Sequence, residues 1–440
     1  MAKLSSLCIA ITLLSALTGS VVTTALTPVA LQAEGQLAYT MADGSLWLTT
    51  ATGEEKVRLT GPLGFAVADW SPDGETLALV KGGLPWAEGN EIHVVNPDGS
   101  GLRKVADGYA PVWTEDSQRI LYVTDFVSSE EGTEQSVREV NLQDGSDNAL
   151  ATARWISGLW PIEKLWYSPE AGMMALYVAG LEMEGHVVIL DTEGNVHWEI
   201  SDYVYSADNF DWSPDGTYIV YRDSGDPFIG GKEPALKIFR VEAQELIASL
   251  PKAGFWPLWS PDGKKIATFL WQGEGDFSVS MLSADGGELA AQPDHTFGDI
   301  WYSRPYWSPD GSQLLVTSSA PGESRVYVVD DAGGLRVIAE GPRPEVSWSP
   351  DGTRVALAMG QEGSREVYVV NRDGSDLRKV ADGSAPHWRP TVSPAQAAAP
   401  LCGLPTLGSV MALGLVILVS VSPQRGRRRV TAARDGGRTA

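Results

Sequence analysis

One pentapeptide, Trp-Ser-Pro-Asp-Gly, recurs along this 440-residue chain and constrains its fold more than any other feature. Intact copies begin at Trp70, Trp212, Trp259, Trp307 and Trp348. Altered copies begin at Trp113 and Tyr167, and a shortened copy begins at Trp388. Counted from Trp70, the steps between successive copies are 43, 54, 45, 47, 48, 41 and 40 residues. A period of this length is typical of a β-propeller in which each repeat forms one four-stranded blade.

Each repeat has the same internal order of strand-like runs and turns. After the copy at Trp348 come three such runs, at residues 354–359, 366–371 and 377–381. Within the pentapeptide, proline presets a tight turn, aspartate accepts hydrogen bonds from nearby N–H groups, and glycine supplies positive φ. We therefore predict that the repeated residues are structural, with the tryptophans packed between blades. These residues are Trp70, Trp113, Trp212, Trp259, Trp307, Trp348, Trp388, Asp73, Asp215, Asp262, Asp310 and Asp351.

The two ends of the repeat array complement each other. Residues 36–60 contain three strand-like runs with no pentapeptide before them, whereas residues 385–389 form one such run with none after it. If these runs share one blade, the ring closes and the free sheet edges of an open array disappear. With seven units between them, we predict an all-β propeller of eight four-stranded blades. Seven blades is the alternative if the unit at 113–166 is degenerate.

The pentapeptide and its period resemble the TolB-like propeller repeat, which is related in sequence to the propellers of prolyl-oligopeptidase-type enzymes. The resemblance covers residues from about 35 to 390, nearly the whole chain between its two apolar ends. It implies a propeller fold and an extracytoplasmic binding or scaffold module. It does not identify the partner, because the chemistry of a propeller lies in the loops that the fold carries.

The sequence contains no signature of a catalytic site. It lacks a Gly-x-Ser-x-Gly elbow, a His-Glu-x-x-His motif and a phosphate-binding glycine loop. We also expect no hydrolase domain after the propeller. The five histidines are scattered without the spacing of metal ligands. We therefore predict a protein that is not an enzyme and has no catalytic residue, metal or cofactor.

Both ends of the chain are apolar. Residues 1–33 have one early lysine, an apolar run and then small residues, which is typical of a signal peptide or an uncleaved signal anchor. Residues 401–422 contain no charge and are followed by an arginine cluster. We predict a propeller at 34–390, a Pro/Ala-rich linker at 391–400, a transmembrane helix at 401–422 and a basic cytoplasmic tail at 423–440. The propeller would then lie outside the cytoplasm, at the membrane or in the envelope.

The C-terminal segment has a second interpretation. Small residues around Cys402, an apolar stretch and an arginine cluster also resemble bacterial sorting signals that are cut and joined to the envelope. An intact Leu-Pro-x-Thr-Gly is missing, because residues 404–408 read LPTLG. Cys8 and Cys402 are the only cysteines and both lie in the apolar ends, so the propeller is predicted to have no disulfide.

The charge balance restricts the partners. Setting aside Lys3, Asp435 and the six arginines between 425 and 438, 26 basic residues face 55 acidic ones, a net charge of −29. Such a field repels nucleic acid and anionic lipid headgroups and favours cationic or neutral partners. We expect a monomer that binds no nucleic acid and contacts the membrane only through its C-terminal helix.

The variable loops contain the candidate ligand-binding residues. In an up-and-down blade, the pentapeptide turns lie on one rim and the connections between blades lie on the opposite rim. Large aromatic residues are frequent in the loops of that opposite rim, where they are suited to stacking on sugars or binding a peptide. The candidates for a binding rim are Trp86, Trp160, Trp256, Trp301, Tyr302 and Arg304.

Two functions follow from these observations. The first is a membrane-tethered, non-enzymatic propeller that binds a protein or an envelope glycan on its loop-rich rim. The alternative is a propeller carbohydrate-active enzyme, a hydrolase or lyase, that uses two rim carboxylates. The sequence does not single out such a pair, because its aspartates and glutamates are numerous.

Overall fold

The chain folds into a ring of eight β-sheets, seen in a computed structural model. The structure describes residues 35–82, 88–129, 132–155, 161–179, 185–200, 204, 206–224, 234–251, 254–273, 276–287, 295–297, 305–318, 324–361, 363–391 and 416–418. Seven sheets have four strands, and one has two additional short strands. The prediction of an eight-bladed, all-β propeller is confirmed, and the unit at 113–166, which left seven blades open, is a complete blade.

The strands follow the repeats along the chain. The first three are β1 (Gln36–Thr40), β2 (Leu46–Thr50) and β3 (Lys56–Arg58). Blade 1 contains β4 (Phe65–Trp70), β5 (Leu77–Lys81), β6 (Glu91–Val95) and β7 (Arg103–Asp107). Blade 2 contains β8 (Tyr109–Trp113), β9 (Arg119–Val123), β10 (Val127–Ser129), β11 (Gly132–Asn141) and β12 (Asp147–Trp155). Blade 3 contains β13 (Ile162–Ser168), β14 (Met173–Ala179), β15 (Gly185–Asp191) and β16 (Val196–Ile200).

The remaining blades repeat this arrangement. Blade 4 contains β17 (Phe210–Trp212), β18 (Tyr218–Asp223), β19 (Ala235–Arg240) and β20 (Glu245–Pro251), preceded by a 3-10 turn at Ala207–Asn209. Blade 5 contains β21 (Phe255–Trp259), β22 (Lys265–Gly273), β23 (Asp276–Ser283) and β24 (Thr296–Phe297). Blade 6 contains β25 (Tyr306–Trp307), β26 (Gln313–Ser318), β27 (Arg325–Asp330) and β28 (Leu335–Glu340). Blade 7 contains β29 (Glu345–Trp348), β30 (Arg354–Met359), β31 (Glu366–Asn371) and β32 (Arg378–Asp382), and β33 (Ser384–Trp388) and β34 (Val416–Leu418) follow.

The two ends of the propeller meet in blade 8. Its strand order is β3-β2-β1-β33, with Leu37 opposite Trp388 and Thr40 opposite Ser384. The predicted closure, with three strands from the N-terminal side and one from the C-terminal side, is therefore confirmed. Closure pairs the strand edges that would otherwise stay open at both ends of the array.

The repeated tryptophan ends the innermost strand of every blade except blade 3, which has Tyr167 there, and lies against the preceding blade. All seven are buried, between 3% and 9% exposed. Four indole Nε1–H groups donate to the carbonyl of the residue just before the preceding blade's tryptophan. These pairs are Trp113 to Asp69 (3.2 Å), Trp307 to Leu258 (3.1 Å), Trp348 to Tyr306 (3.0 Å) and Trp388 to Ser347 (3.1 Å).

The rest of each pentapeptide forms the turn to the second strand. In the five intact copies, the serine hydroxyl donates to the aspartate at 2.5 to 2.7 Å. The glycine has φ between 66° and 71°, which a side chain would strain. The hydroxyls of Ser308 and Ser312 lower the pKa of Asp310 to about 2. The structure thus places Asp73, Asp215, Asp262, Asp310 and Asp351 in hydrogen-bonded turns.

Two faces of the ring follow from the alternating strand directions. The turn face contains the pentapeptide turns and the turns between third and fourth strands. The loop face contains the loops between second and third strands and the connections between blades.

The C-terminal segment is described only at Val416–Leu418. These residues are extended and pair in parallel with Thr152, Ala153 and Arg154 of β12. Among the described residues, no helix has both the length and the apolar composition needed to cross a membrane. The transmembrane helix predicted at 401–422 is therefore not seen at Val416–Leu418, and its other residues lie outside the described part of the chain.

Candidate functional site

The innermost strands of the eight blades surround a central channel. In every blade, the residue before the repeated tryptophan, or before Tyr167 in blade 3, is at least partly exposed. Asp211 and His387 show the contrast clearly, because both of their neighbours on the strand are buried. Because side chains alternate along a strand, this row faces the channel. From blade 1 to blade 8 it comprises Asp69, Val112, Trp166, Asp211, Leu258, Tyr306, Ser347 and His387.

A bulge shapes three of the innermost strands. Ala110, Trp256 and Ala385 have φ of 50° to 52°, and each lies three residues before the repeated tryptophan and is followed by proline. The N–H of Trp256 donates to Asn209 Oδ1 of the preceding blade at 3.2 Å. The N–H of Ala385 donates to Glu345 Oε2 in the same way, at 2.7 Å. These bonds compensate the unusual backbone and fix the wall of the channel.

One part of the wall has the features of a binding site. A cavity of ≈ 80 Å³, which we call the channel-wall cavity, spans the innermost strands of blades 3 to 6. Trp166 and Trp256 line it together with three ionisable residues, Lys164, Asp208 and Asp211. Its other lining residues are Phe210, Pro257, Leu258 and Pro305. Two aromatic walls with converging charges form an arrangement suited to a small polar or charged group.

The altered repeat of blade 3 produces one side of this cavity. Tyr167 takes the place of the repeated tryptophan, and Trp166 therefore stands in the row that faces the channel. Lys164, two residues earlier on the same strand, places its Nζ 4.9 Å from the centre of the Trp166 ring and 3.5 Å from Asp208 Oδ1. The 3-10 turn holds Asp208 in position, because the Asp208 N–H donates to Ser206 Oγ at 3.2 Å.

The carboxyl group of Asp211 is poorly compensated. Its Oδ2 accepts the backbone N–H of Trp259 at 2.7 Å. Burial raises its pKa to about 7, although this hydrogen bond and the charge of Lys164 act in the opposite direction. Among the residues that the structure describes, none forms an ion pair with Asp211. A cation that entered the cavity would therefore meet a carboxyl group that has no ion-pair contact with any described residue.

Other ionisable groups of the channel differ in their compensation. In blade 7, the carboxylate of Glu345 accepts a hydrogen bond from Arg365 Nη1 at 2.7 Å, and the guanidinium neutralises its charge. Asp69 of blade 1 and His387 of blade 8 interact where the ring closes. Burial raises the pKa of Asp69 and lowers the pKa of His387, and the attraction between the two charges partly opposes both shifts. Asp69 is nevertheless exposed to the channel solvent. The wall thus presents two carboxyl groups without an ion-pair partner in the described structure, Asp69 and Asp211.

The predicted rim residues are only partly covered by the structure. Trp86, Trp160, Trp301, Tyr302 and Arg304 lie outside the described residues, so their common location on one rim stays a prediction. Trp256 lies in β21 rather than in a loop between blades, because the bulge lets the innermost strand begin at Phe255. It is half-buried, packs edge-on against Phe269 and lines the channel-wall cavity.

Several residues of this site were missed from the sequence. Lys164, Trp166 and Asp211 did not stand out as candidates, because they lie just before the repeated motif and belong to no recognisable motif of their own. On the loop face, Trp271 at the end of β22 was also missed and is 61% exposed. In the described part of the chain, no group of three or more His, Cys, Asp or Glu side chains is arranged to hold a metal ion.

Comparison with known proteins supports the fold but does not show a family. No family model matches the sequence. A 70-residue segment is 44% identical to the uncharacterized peptidase YuxL of Bacillus subtilis, covering 16% of this chain and only 10% of that protein. The uncharacterized protein Atu1656 of Agrobacterium fabrum is 23% identical over 277 residues, covering 59% of this chain and 86% of its own.

Solved structures include TolB-like and enzymatic propellers. A eukaryotic initiation factor aligns with a TM-score of 0.53 at 12% identity, over 81% of this chain and 98% of its own. TolB from Acinetobacter baumannii aligns with a TM-score of 0.40 at 14% identity, over 80% and 82% of the two chains. An oligogalacturonate lyase in complex with manganese reaches 0.49 at 12% identity, over 77% and 98%. These similarities concern the propeller fold, and the narrower assignment to the Trp-Ser-Pro-Asp-Gly repeat family stays a prediction.

One prediction from the sequence requires correction. We predicted that the protein is not an enzyme, on the grounds that catalytic motifs are missing. That prediction is wrong as a general exclusion, because a relative that is 44% identical over 70 residues is named a peptidase. Missing motifs do not exclude an enzyme, because a propeller can assemble side chains from several blades, which no local sequence pattern records.

Proposed function

We propose that the propeller is a binding module for a protein segment rich in basic residues, which enters the central channel from the loop face. The observation that carries this proposal is the presence of Asp69 and Asp211 on the channel wall, each without an ion-pair partner among the described residues. A net charge of −29 over residues 34–400 adds a long-range field that draws positive ligands toward the ring.

The shape of the site favours a protein segment over other ligands. The channel is bounded by strand backbones, and an extended chain can present side chains to it one after another. The acidic field disfavours nucleic acid. We further propose that the propeller is displayed outside the cytoplasm and tethered through residues 401–422, as the apolar span and its arginine cluster suggest.

The proposal is tested by measuring peptide binding to the full-length protein in detergent by fluorescence anisotropy. The probes are capped 12-residue peptides of alternating glycine with lysine, glutamine or glutamate. We expect only the lysine peptide to bind, and the Asp69→Asn/Asp211→Asn double variant to lower its affinity at least about tenfold, since two charge-assisted contacts are lost.

A matched control separates channel binding from general attraction. Asp98 and Asp373 accept serine N–H groups in exposed turns outside the channel, and asparagine preserves such turns. Asp98→Asn/Asp373→Asn also removes two carboxyl groups, but outside the channel, and should change the affinity for the lysine peptide less than about twofold. Equal losses in the two double variants, or equal binding of the glutamine peptide, would refute the proposal.

A second candidate function is favoured by the environment of Asp211. A carboxyl group with a pKa of about 7, in a cavity with aromatic walls, is suited to general acid–base catalysis at neutral pH. The same propeller would then act as a hydrolase or lyase on a ligand held in the channel. This candidate predicts turnover of peptide or polysaccharide substrates that Asp211→Asn abolishes while ligand binding is retained. Chromatography of substrates incubated with both proteins would detect it.

A further inference from the structure

We infer that the channel-wall cavity is a subsite for one basic side chain of the ligand, the ammonium group of a lysine or the guanidinium of an arginine, and that Lys164, on the wall of the cavity, competes with that group for the carboxylates in the free protein. The inference rests on the proposed binding of a basic segment and specifies which part of the channel selects for charge. It assigns to Lys164 the role of an internal competitor.

The position of Lys164 shows what the cavity accepts. Its ammonium lies 4.9 Å from the centre of the Trp166 ring, within the distance of about 6 Å at which a cation is attracted to an aromatic face. It also lies 3.5 Å from Asp208 Oδ1. Its side chain is 36% exposed, so its flexible stem can move the charge into the channel when another cation arrives.

The other side of the cavity is not satisfied by Lys164. Asp211 accepts the Trp259 N–H but has no ion pair with any described residue, and Trp256 provides a second indole beside it. The 3.5 Å contact of Lys164 is with Asp208 and not with Asp211. A ligand cation between the two indoles would supply the missing counter-charge.

The volume of the cavity admits one side-chain head group. A cavity needs about 10–15 Å³ of probe-occupied volume to hold one water molecule. The cavity of ≈ 80 Å³ therefore has room for an ammonium or a guanidinium.

Other cation–indole contacts in the ring differ from this one. Lys265 lies 5.1 Å from the Trp307 ring, and Arg389 lies 5.8 Å from the Trp70 ring. Both indoles belong to the repeated, buried tryptophans, and both cations are bonded to carbonyl groups of the turn face. Trp166 instead faces the channel, so its cation can be replaced by one from a ligand.

The test uses the full-length protein and two capped pentapeptides, Gly-Gly-Lys-Gly-Gly and Gly-Gly-Gln-Gly-Gly, titrated by calorimetry. We expect the lysine peptide alone to bind. Lys164→Met should raise its affinity about three- to tenfold, because the internal competitor is gone. Asp211→Asn and Trp166→Leu should each lower it at least about fivefold. Asp373→Asn, outside the channel, should leave it unchanged, and thermal melting verifies that each variant is folded.

The pH dependence gives a second measurement. A bound cation favours the ionised carboxyl of Asp211, whose pKa burial raises to about 7, so the affinity should increase from pH 6 to pH 8. Lys164 and the carboxyl groups of Asp208 and Glu163 face the same region, and burial raises the pKa of Glu163 as well. Calorimetry at pH 7 in two buffers of different ionisation enthalpy should show proton release, and Asp211→Asn should abolish most of it.

Two results would overturn the inference. An unchanged or lower affinity in folded Lys164→Met would show that Lys164 does not compete, and equal binding of the glutamine peptide would show that the cavity does not select charge. If either occurs while the 12-residue lysine peptide still depends on Asp69 and Asp211, the proposed function stands and only the subsite is rejected. If that dependence is also missing, both fail.

Discussion

The repeated tryptophan contributes to stability in two separable ways. Each indole fills space between neighbouring blades, and four of them also donate Nε1–H to a carbonyl of the preceding blade. In the other three, Trp70, Trp212 and Trp259, the Nε1 atom is buried without a hydrogen-bond partner in the described structure. The chain therefore contains its own comparison between a bonded and an unbonded indole.

Substituting phenylalanine for tryptophan at one site of each kind should separate the two contributions. Trp348, 9% exposed, donates to Tyr306 O at 3.0 Å, whereas Trp212, 8% exposed, has no such bond. Trp348→Phe should cost about 1 to 3 kcal/mol more free energy of unfolding than Trp212→Phe, because only the first loses a buried hydrogen bond. Urea denaturation followed by circular dichroism measures the difference. Equal losses would show that the indole acts by packing alone.

At the scale of elements, Arg389 joins three separate segments where the ring closes. Its Nε donates to Gly74 O at 2.6 Å, Nη1 to Gln36 Oε1 at 2.7 Å and Nη2 to Glu75 Oε1 at 2.9 Å. The guanidinium therefore ties the end of β33 to the start of β1 and to the first pentapeptide turn. Its planar fork suits three partners in different directions.

Arg389→Met should loosen this closure. Three charge-assisted bonds disappear from a side chain that is 13% exposed, so we expect a loss of about 2 to 4 kcal/mol and a lower melting temperature. Arg372→Met is the control, because Arg372 is 46% exposed and its ion pair with Asp310 is long, at 3.8 Å. That exposed pair should contribute less than about 1 kcal/mol. If both variants melt alike, the closing strand does not depend on Arg389.

The sequence predicted the elements better than the site. The pentapeptide period specified eight blades, and the unequal ends of the array specified which strands share blade 8, because both depend on counting repeats. The bulge at Trp256 was not predictable, since proline normally biases the preceding residue toward extended backbone with negative φ. The channel-wall cavity was missed because its two indoles are 90 residues apart and meet only through the curvature of the ring.

At the scale of the whole molecule, the negative charge should limit stability at low ionic strength. Added salt shortens the range of electrostatic repulsion from about 30 Å at 0.01 M to about 10 Å at 0.1 M. We expect the melting temperature to rise by a few degrees over this interval, because the net charge of −29 repels itself in the folded ring. Differential scanning calorimetry measures the shift. A fall would indicate that local ion pairs, such as that of Lys379 with Glu366, outweigh the repulsion.

The closure in blade 8 also determines how the ring would be presented at a surface. Gln36 begins β1 and Arg389 follows β33, and the N–H of Arg389 donates to the Gln36 carbonyl at 2.8 Å. Both ends of the propeller therefore leave from the same edge of the turn face. A bilayer anchor joined closely to either end would hold the turn face toward the lipid and leave the channel mouth on the loop face pointing away from it.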